Sequence, residues 1–100
     1  MFVRIARFEG GDPSEVDDSI ARVRAMMEDG PTPPGLDRAR RSMMLVDRQA
    51  GTGLGVTFFD TEDDLRAGDQ ALNDMSRPAG ATGDRTAVEL YEVAIDKEWR

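Results

Sequence analysis

The sequence contains no cysteine and no histidine. Without cysteine the chain has no disulfide bond, no thiolate nucleophile and no cysteine-bound metal. Without histidine it lacks the commonest general base and the commonest metal ligand in proteins. We therefore expect neither a bound metal nor another cofactor, and the residue types assign no catalytic group.

Positive charge is also scarce. Asp and Glu number 20 against 13 Lys and Arg, and the formal net charge is −7. A surface with this balance repels phosphate backbones and anionic lipid head groups. Arg38, Arg40 and Arg41 form the single basic cluster, which fits a solvated strand entrance or, alternatively, an anion-binding patch. Nucleic acid is not an expected partner.

Long apolar runs are absent as well. The N-terminal residues 1–5 contain no apolar stretch long enough for a signal peptide or an anchor, and no later segment approaches membrane-spanning length. We expect no membrane association and a cytoplasmic location. The 100 residues, 39% hydrophobic and 33% charged, have the size and composition of one globular domain over residues 1–100.

Two segments have the apolar periodicity of amphipathic helices. In the first, Asp12 is the predicted N-cap, Pro13 takes the first helical position and Glu15 completes a capping box. The second is predicted to begin at Thr61, with a weaker capping box to Asp64, and to end at residues 77–80. The apolar stripes are Val16, Ile20, Val23 and Met27 in the first helix, and Leu65, Leu72 and Met75 in the second.

Four segments alternate as strands do. Their predicted ranges are residues 2–8, 41–46, 54–59 and 86–95, with a hairpin connection at 47–52 and a long Pro-rich loop at 29–38. The element order, with right-handed crossovers, predicts an α+β fold of the ferredoxin-like βαββαβ type. We expect a four-stranded antiparallel sheet with both helices on one face.

Both faces of the predicted sheet are apolar. Because two helices cover one face and a half-solvated sheet is normally polar on the other, we expect the second face to pair with a copy of the chain. One alternation comprises Val3, Ile5, Met44, Val46, Leu54, Val56, Phe58, Val88 and Leu90, and the other Phe2, Ala6, Phe8, Met43, Leu45, Phe59, Ala87, Tyr91, Val93 and Ile95.

The pattern resembles the dimeric α+β barrel superfamily, which includes antibiotic-biosynthesis-monooxygenase-like proteins. The similar segments are Arg7-Phe8-Glu9-Gly10, the hairpin Leu45-Val46-Asp47-Arg48 with Gly53-Leu54-Gly55-Val56-Thr57, and Tyr91-Glu92-Val93. The resemblance covers nearly the whole chain. It implies a homodimer whose two sheets form a barrel, with a small-molecule pocket between sheet and helices, and it implies no particular reaction.

Several motifs have competing interpretations. The glycine-rich residues 51–55 open a strand rather than a helix, which favours a hairpin turn over a nucleotide-binding loop. Acidic groups at both helix starts fit compensation of the helix dipole better than a hard-cation site. Two methionine pairs, Met26-Met27 and Met43-Met44, are consistent with core packing or with an adaptable ligand-lining cluster.

Polar residues inside apolar stretches are the better candidates for a site. Arg4 interrupts the first strand, and Glu89 has the parity to pair with it, as an ion pair at the dimer seam or, alternatively, as a substrate anchor. The predicted ligand-contacting residues are Arg4, Met43, Phe59, Asn73 and Tyr91.

Two functional hypotheses follow. The first is a non-catalytic dimer that binds a small apolar molecule or serves as an assembly module. The alternative, implied by the resemblance, is a cofactor-independent monooxygenase-like enzyme acting on an aromatic or polyketide-type substrate. Haem-degrading members of the superfamily hold iron with a histidine, which this sequence lacks, and monooxygenase members shape their pocket with polar and tryptophan side chains. Here the single tryptophan is Trp99 and the single asparagine is Asn73.

Overall fold

The computed structural model describes residues 1–32, 36–74 and 83–100. The elements are β1 (Phe2–Glu9), a 3-10 turn (Pro13–Glu15), α1 (Val16–Asp29), β2 (Ala39–Asp47), β3 (Thr52–Phe59), α2 (Glu62–Asp74) and β4 (Asp84–Glu92). The four strands form one sheet in the order β2-β3-β1-β4, and every neighbouring pair is antiparallel, which confirms the predicted ferredoxin-like βαββαβ arrangement. No helix within the described ranges is long and apolar enough to cross a bilayer.

The start of the first helix follows the predicted capping chemistry in part. The Asp12 carboxylate accepts hydrogen bonds from the Ser14 backbone N–H at 2.9 Å and from the Ser14 hydroxyl at 2.8 Å, and Pro13 occupies the first turn. That turn is a 3-10 turn, so α1 begins at Val16. Glu15 makes no side-chain capping bond, so the predicted capping box does not form.

The second helix is capped by Thr61, as predicted. Its hydroxyl accepts a hydrogen bond from the Asp64 backbone N–H at 3.1 Å. The Asp64 carboxylate accepts a hydrogen bond from Arg38 at 3.2 Å, and Arg40 forms an ion pair with Asp60 at 3.4 Å. Two arginines of the basic cluster therefore form ion pairs near the start of this helix. The predicted stripe residue Met75, the helix end at 77–80 and the loop residues 33–35 lie outside the described residues.

The pairing of the strands corrects the predicted composition of the two faces. Residues opposite each other in an antiparallel pair share a face. Arg4 pairs with Thr57 on one side and Leu90 on the other, whereas Val3 pairs with Phe58 and Tyr91. Each predicted face therefore combined residues that lie on opposite faces of the sheet, because alternation within one strand does not fix its register with the neighbouring strand. Irregularities between Arg7 and Phe8 and between Ala39 and Arg41 shift the register further.

The helices cover the face that includes Arg4, Ala6 and Phe8, and we call the opposite one the open face. The open face includes Val3, Ile5, Arg7, Arg41, Met43, Leu45, Asp47, Thr52, Leu54, Val56, Phe58, Ala87, Glu89 and Tyr91.

The fourth strand is shorter at its end than its alternation predicts. It ends at Glu92, which pairs with Phe2, and the next backbone N–H, of Val93, donates to the Met1 carbonyl at 2.9 Å. Ile95, predicted as a strand residue, lies outside the strand and is 88% exposed.

The two helices pack differently on the sheet. α2 lies close to β1 and β3 and buries Leu65 and Gly68. α1 lies farther from the sheet: of its stripe residues Val16 is buried, Ile20 and Val23 are half-buried and Met27 is exposed. The buried apolar residues are Val3, Ala6, Val16, Val56, Phe59 and Leu65. Core side chains therefore fill the space beneath the first turn of α1 but not beneath the rest of this helix.

Candidate functional site

A cavity of about 700 Å³ lies between α1 and the sheet. Apolar side chains from both layers provide most of its wall. The described lining residues are Arg4, Ala6, Phe8, Val16, Ile20, Val23, Arg24, Met26, Met27, Leu36, Ser42, Met43, Met44, Val46, Gly51, Thr52, Gly53, Leu54, Gly55, Val56, Thr57 and Leu72.

Two glycines of β3 form part of the cavity floor. Gly53 and Gly55 occupy successive positions on the helix-covered face, opposite Phe8 and Ala6 of β1. A Cβ atom added at Gly55 would have as its nearest neighbour the Phe8 ring, at 3.9 Å, which is ordinary van der Waals contact. Because glycine has no side chain, alternating glycines on a strand leave open space above the sheet.

Three of the four methionines singled out from the sequence have their side chains on the cavity side: Met26 and Met27 from α1, and Met44 from β2. Met43 also borders the cavity, but its pairing with Val56 places its side chain on the open face. None of the four is fully buried. Methionine is flexible and polarizable, and it adapts to irregular apolar surfaces. The placement of Met26, Met27 and Met44 matches the ligand-lining interpretation better than core packing.

A partly buried polar cluster borders the cavity at α2. The Arg4 Nε donates to Asp69 Oδ1 at 2.9 Å and its Nη2 donates to Asn73 Oδ1 at 3.0 Å. The Asn73 amide nitrogen in turn donates to Asp69 Oδ1 at 3.1 Å. The Arg4 side chain is 6% exposed and that of Asp69 is 23% exposed. The cluster therefore neutralises a buried charge and ties α2 to β1.

The predicted ion pair between Arg4 and Glu89 is wrong. Glu89 is opposite Ile5, so its side chain lies on the open face, whereas Arg4 lies on the helix-covered face. The carboxylate that neutralises Arg4 is Asp69, which is 65 residues away in sequence. The alternation of residues along the strands could not identify Asp69, because Asp69 lies on a helix.

The five predicted site residues do not form one site. Arg4 lines the cavity, and Asn73 binds Arg4 without being a lining residue. Met43 borders the cavity through its strand, but its side chain lies on the open face. Phe59 is 0% exposed and belongs to the core beneath α2. Tyr91 lies on the edge strand β4, is 49% exposed, and is not among the lining residues.

The Tyr91 hydroxyl has a partner on its own strand. It donates a hydrogen bond to Glu89, two residues earlier on the same face. This hydrogen bond, together with the negative charge of Glu89, raises the pKa of Tyr91 above its ordinary value of 10.0.

Sequence reasoning missed the floor glycines and Arg24. The signal for the floor was present, since glycine at alternate positions of a predicted strand leaves one face without side chains. No local signal identified Arg24, because its position at the cavity depends on how α1 is oriented over the sheet.

No protein-family model and no curated protein sequence matches the chain. Among the described residues, no three acidic side chains come together in a group suited to hold a metal ion. The order and pairing of the elements are compatible with a ferredoxin-like α+β fold. The functional proposal below is therefore based on the geometry of the cavity.

Proposed function

We propose that this protein binds a small, mainly apolar molecule in the cavity between α1 and the sheet. The observation that carries the proposal is an apolar space of about 700 Å³ floored by Gly53 and Gly55. Protein pockets for small molecules have volumes of about 300–1,000 Å³ and are lined mainly by apolar side chains with a few polar groups. Met26, Met27 and Met44 provide a wall that adapts to the shape of an occupant.

The polar lining residues favour binding over acid–base catalysis. Those that the structure describes are Arg4, Arg24, Ser42, Thr52 and Thr57. Arginine donates hydrogen bonds, hydroxyl side chains donate and accept them, and neither belongs to the side chains that usually serve as general acid or base. The cofactor-independent oxygenase alternative would have to draw its reactivity from the substrate.

The test is to fill the floor of the cavity. Gly55→Val places a side chain in the space, and the backbone of Gly55 is outside the left-handed region, so valine is sterically allowed. We expect binding of the neutral fluorescent probe N-phenyl-1-naphthylamine to weaken at least about tenfold because the added volume overpacks the occupied site. The free energy of unfolding should rise by about 0.5–1 kcal/mol, because glycine is unfavourable within a strand.

Ala87→Val is the matched control. It adds a valine side chain to a strand of the same sheet on the open face, away from the cavity. Probe titration and urea denaturation are measured on both variants and on the unmodified protein. The proposal is wrong if the unmodified protein does not bind the probe, or if Gly55→Val binds it equally well.

We further propose that the open face pairs with a second copy of the chain, as in the dimeric α+β barrel superfamily that the sequence resembles. The centre of this face is apolar, with Ile5, Val56 and Phe58 on the two central strands. Charges of both signs, Arg7 and Glu89, flank that centre. A two-fold interface brings each surface against itself, so one face that carries both signs can complement its own copy.

A further inference from the structure

The charge of the cavity lining differs from that of the whole chain. The chain has 20 acidic residues and a net charge of −7. The charged residues among the described lining positions are nevertheless both arginines, Arg4 and Arg24. The described lining thus includes basic but no acidic side chains within an acidic protein, which bears on the kind of molecule that the cavity accepts.

The two arginines differ in their available charge. Asp69 contacts Arg4 at 2.9 Å, so this buried pair adds no net charge to the cavity. Arg24 lies on the exposed surface of α1 and has no ion-pair partner among the residues that the structure describes. Glu28, one helical turn later, is exposed and forms no ion pair with Arg24 in the described part of the chain. Arg24 is therefore the cationic lining residue whose guanidinium is available to a ligand.

Arg24 is positioned beside apolar lining. Ile20, Val23 and Met27 lie on the same helix within one turn of it, and all three line the cavity. An occupant that rests against these side chains would have its polar end within reach of the guanidinium. A guanidinium matches the planar geometry of a carboxylate and binds sulfonate or phosphate oxygens through several donors.

We propose that the ligand of this cavity is an apolar molecule with a single anionic group, which Arg24 binds at the rim. This rests on the proposed function, because it assumes that the cavity is a ligand site. The apolar part lies over Gly53 and Gly55 against the methionines, and the Arg4–Asp69 pair contributes hydrogen bonding without net charge.

Two fluorescent probes that differ by one acidic group test the inference. N-phenyl-1-naphthylamine is neutral, and 8-anilinonaphthalene-1-sulfonate is the same ring system with an added sulfonate. The unmodified protein should bind the sulfonate probe about two- to fivefold more tightly than the neutral one, as expected for a single exposed ion pair. This preference should shrink at 0.5 M salt, because exposed charges are screened there.

Arg24→Gln should abolish the preference for the sulfonate probe and leave binding of the neutral probe unchanged. Arg22→Gln is the matched control: it removes the same charge from the same helix, but Arg22 is not a lining residue. Glutamine and arginine have similar helix propensities, so circular dichroism should show both variants folded.

Three outcomes would overturn parts of this proposal. If the neutral probe binds and the sulfonate probe binds no more tightly, the cavity accepts apolar molecules but Arg24 does not select anions. If Arg22→Gln lowers the preference as much as Arg24→Gln, general electrostatics explains it and the rim site is wrong. If neither probe binds, the proposed function itself fails, which the first two results would not imply.

Discussion

Tyr91 offers a measurement on a single side chain, because it is the one tyrosine in the chain. Its hydrogen bond to Glu89 and the charge of that carboxylate raise the pKa of the phenol above 10.0. In an absorbance titration at 295 nm we expect a midpoint above that value. Glu89→Gln should lower the midpoint, because the amide removes the negative charge that opposes ionisation.

The raised pKa of Tyr91 also determines the direction in which stability depends on pH. A tyrosine whose pKa is higher in the folded than in the unfolded chain stabilises the fold below the unfolded pKa, and this contribution disappears as pH rises through the folded pKa.

Glu92→Gln is the control for the absorbance titration, since Glu92 pairs with Phe2 on the other face. Equal midpoints in the unmodified protein and in Glu89→Gln would show that the hydrogen bond is absent in solution.

Among the elements, α2 is held to β1 by the Arg4–Asp69 pair. Asp69→Leu leaves the buried guanidinium without its carboxylate, and we expect it to lower the free energy of unfolding by about 3 kcal/mol. The double variant Arg4→Met with Asp69→Leu should recover most of that loss, because it removes both charges and keeps apolar volume. Urea denaturation measures the single and double variants.

The control for this prediction is Glu62→Gln on the same helix. Glu62 makes an exposed pair with Arg66, and exposed pairs contribute little to stability, so the variant should unfold close to the unmodified protein. A double variant as unstable as Asp69→Leu would mean that the two side chains act independently and do not form a coupled pair.

The elements themselves could be predicted because their signals are local. Asp12, Pro13 and Thr61 act within a few residues of their own positions, and the α1 stripe follows a fixed helical period. The faces of the sheet could not be predicted, since they depend on how separate strands are aligned. The Arg4–Asp69 contact and the distance of α1 from the sheet likewise depend on tertiary packing, so the cavity had no complete signature in the sequence.

At the scale of the whole molecule, the open face predicts self-association. Leu45 lies on this face and is 45% exposed. We expect sedimentation velocity to give a dimer for the unmodified protein at micromolar concentration and a monomer for Leu45→Glu, because a charge in an apolar interface is costly to desolvate.

Leu90→Glu is the control that distinguishes loss of a specific dimer interface from a general effect of added negative charge. Leu90 is 41% exposed and belongs to the same sheet, but it lies on the helix-covered face. This variant should remain dimeric. If the unmodified protein sediments as a monomer throughout the micromolar range, the open face does not pair with its own copy.

Two glycines at one end of the sheet are tightly enclosed. A Cβ at Gly51 would lie 2.3 Å from the Gly11 carbonyl oxygen, and a Cβ at Gly83 would lie 2.2 Å from that of Glu9. Both residues have positive φ angles, of 70° and 80°. Sequence divergence is therefore restricted at these two positions while the exposed helix surfaces remain free to vary. We therefore expect distant homologues with low overall sequence identity to retain glycine at the positions of Gly51 and Gly83, which are 32 residues apart in the chain.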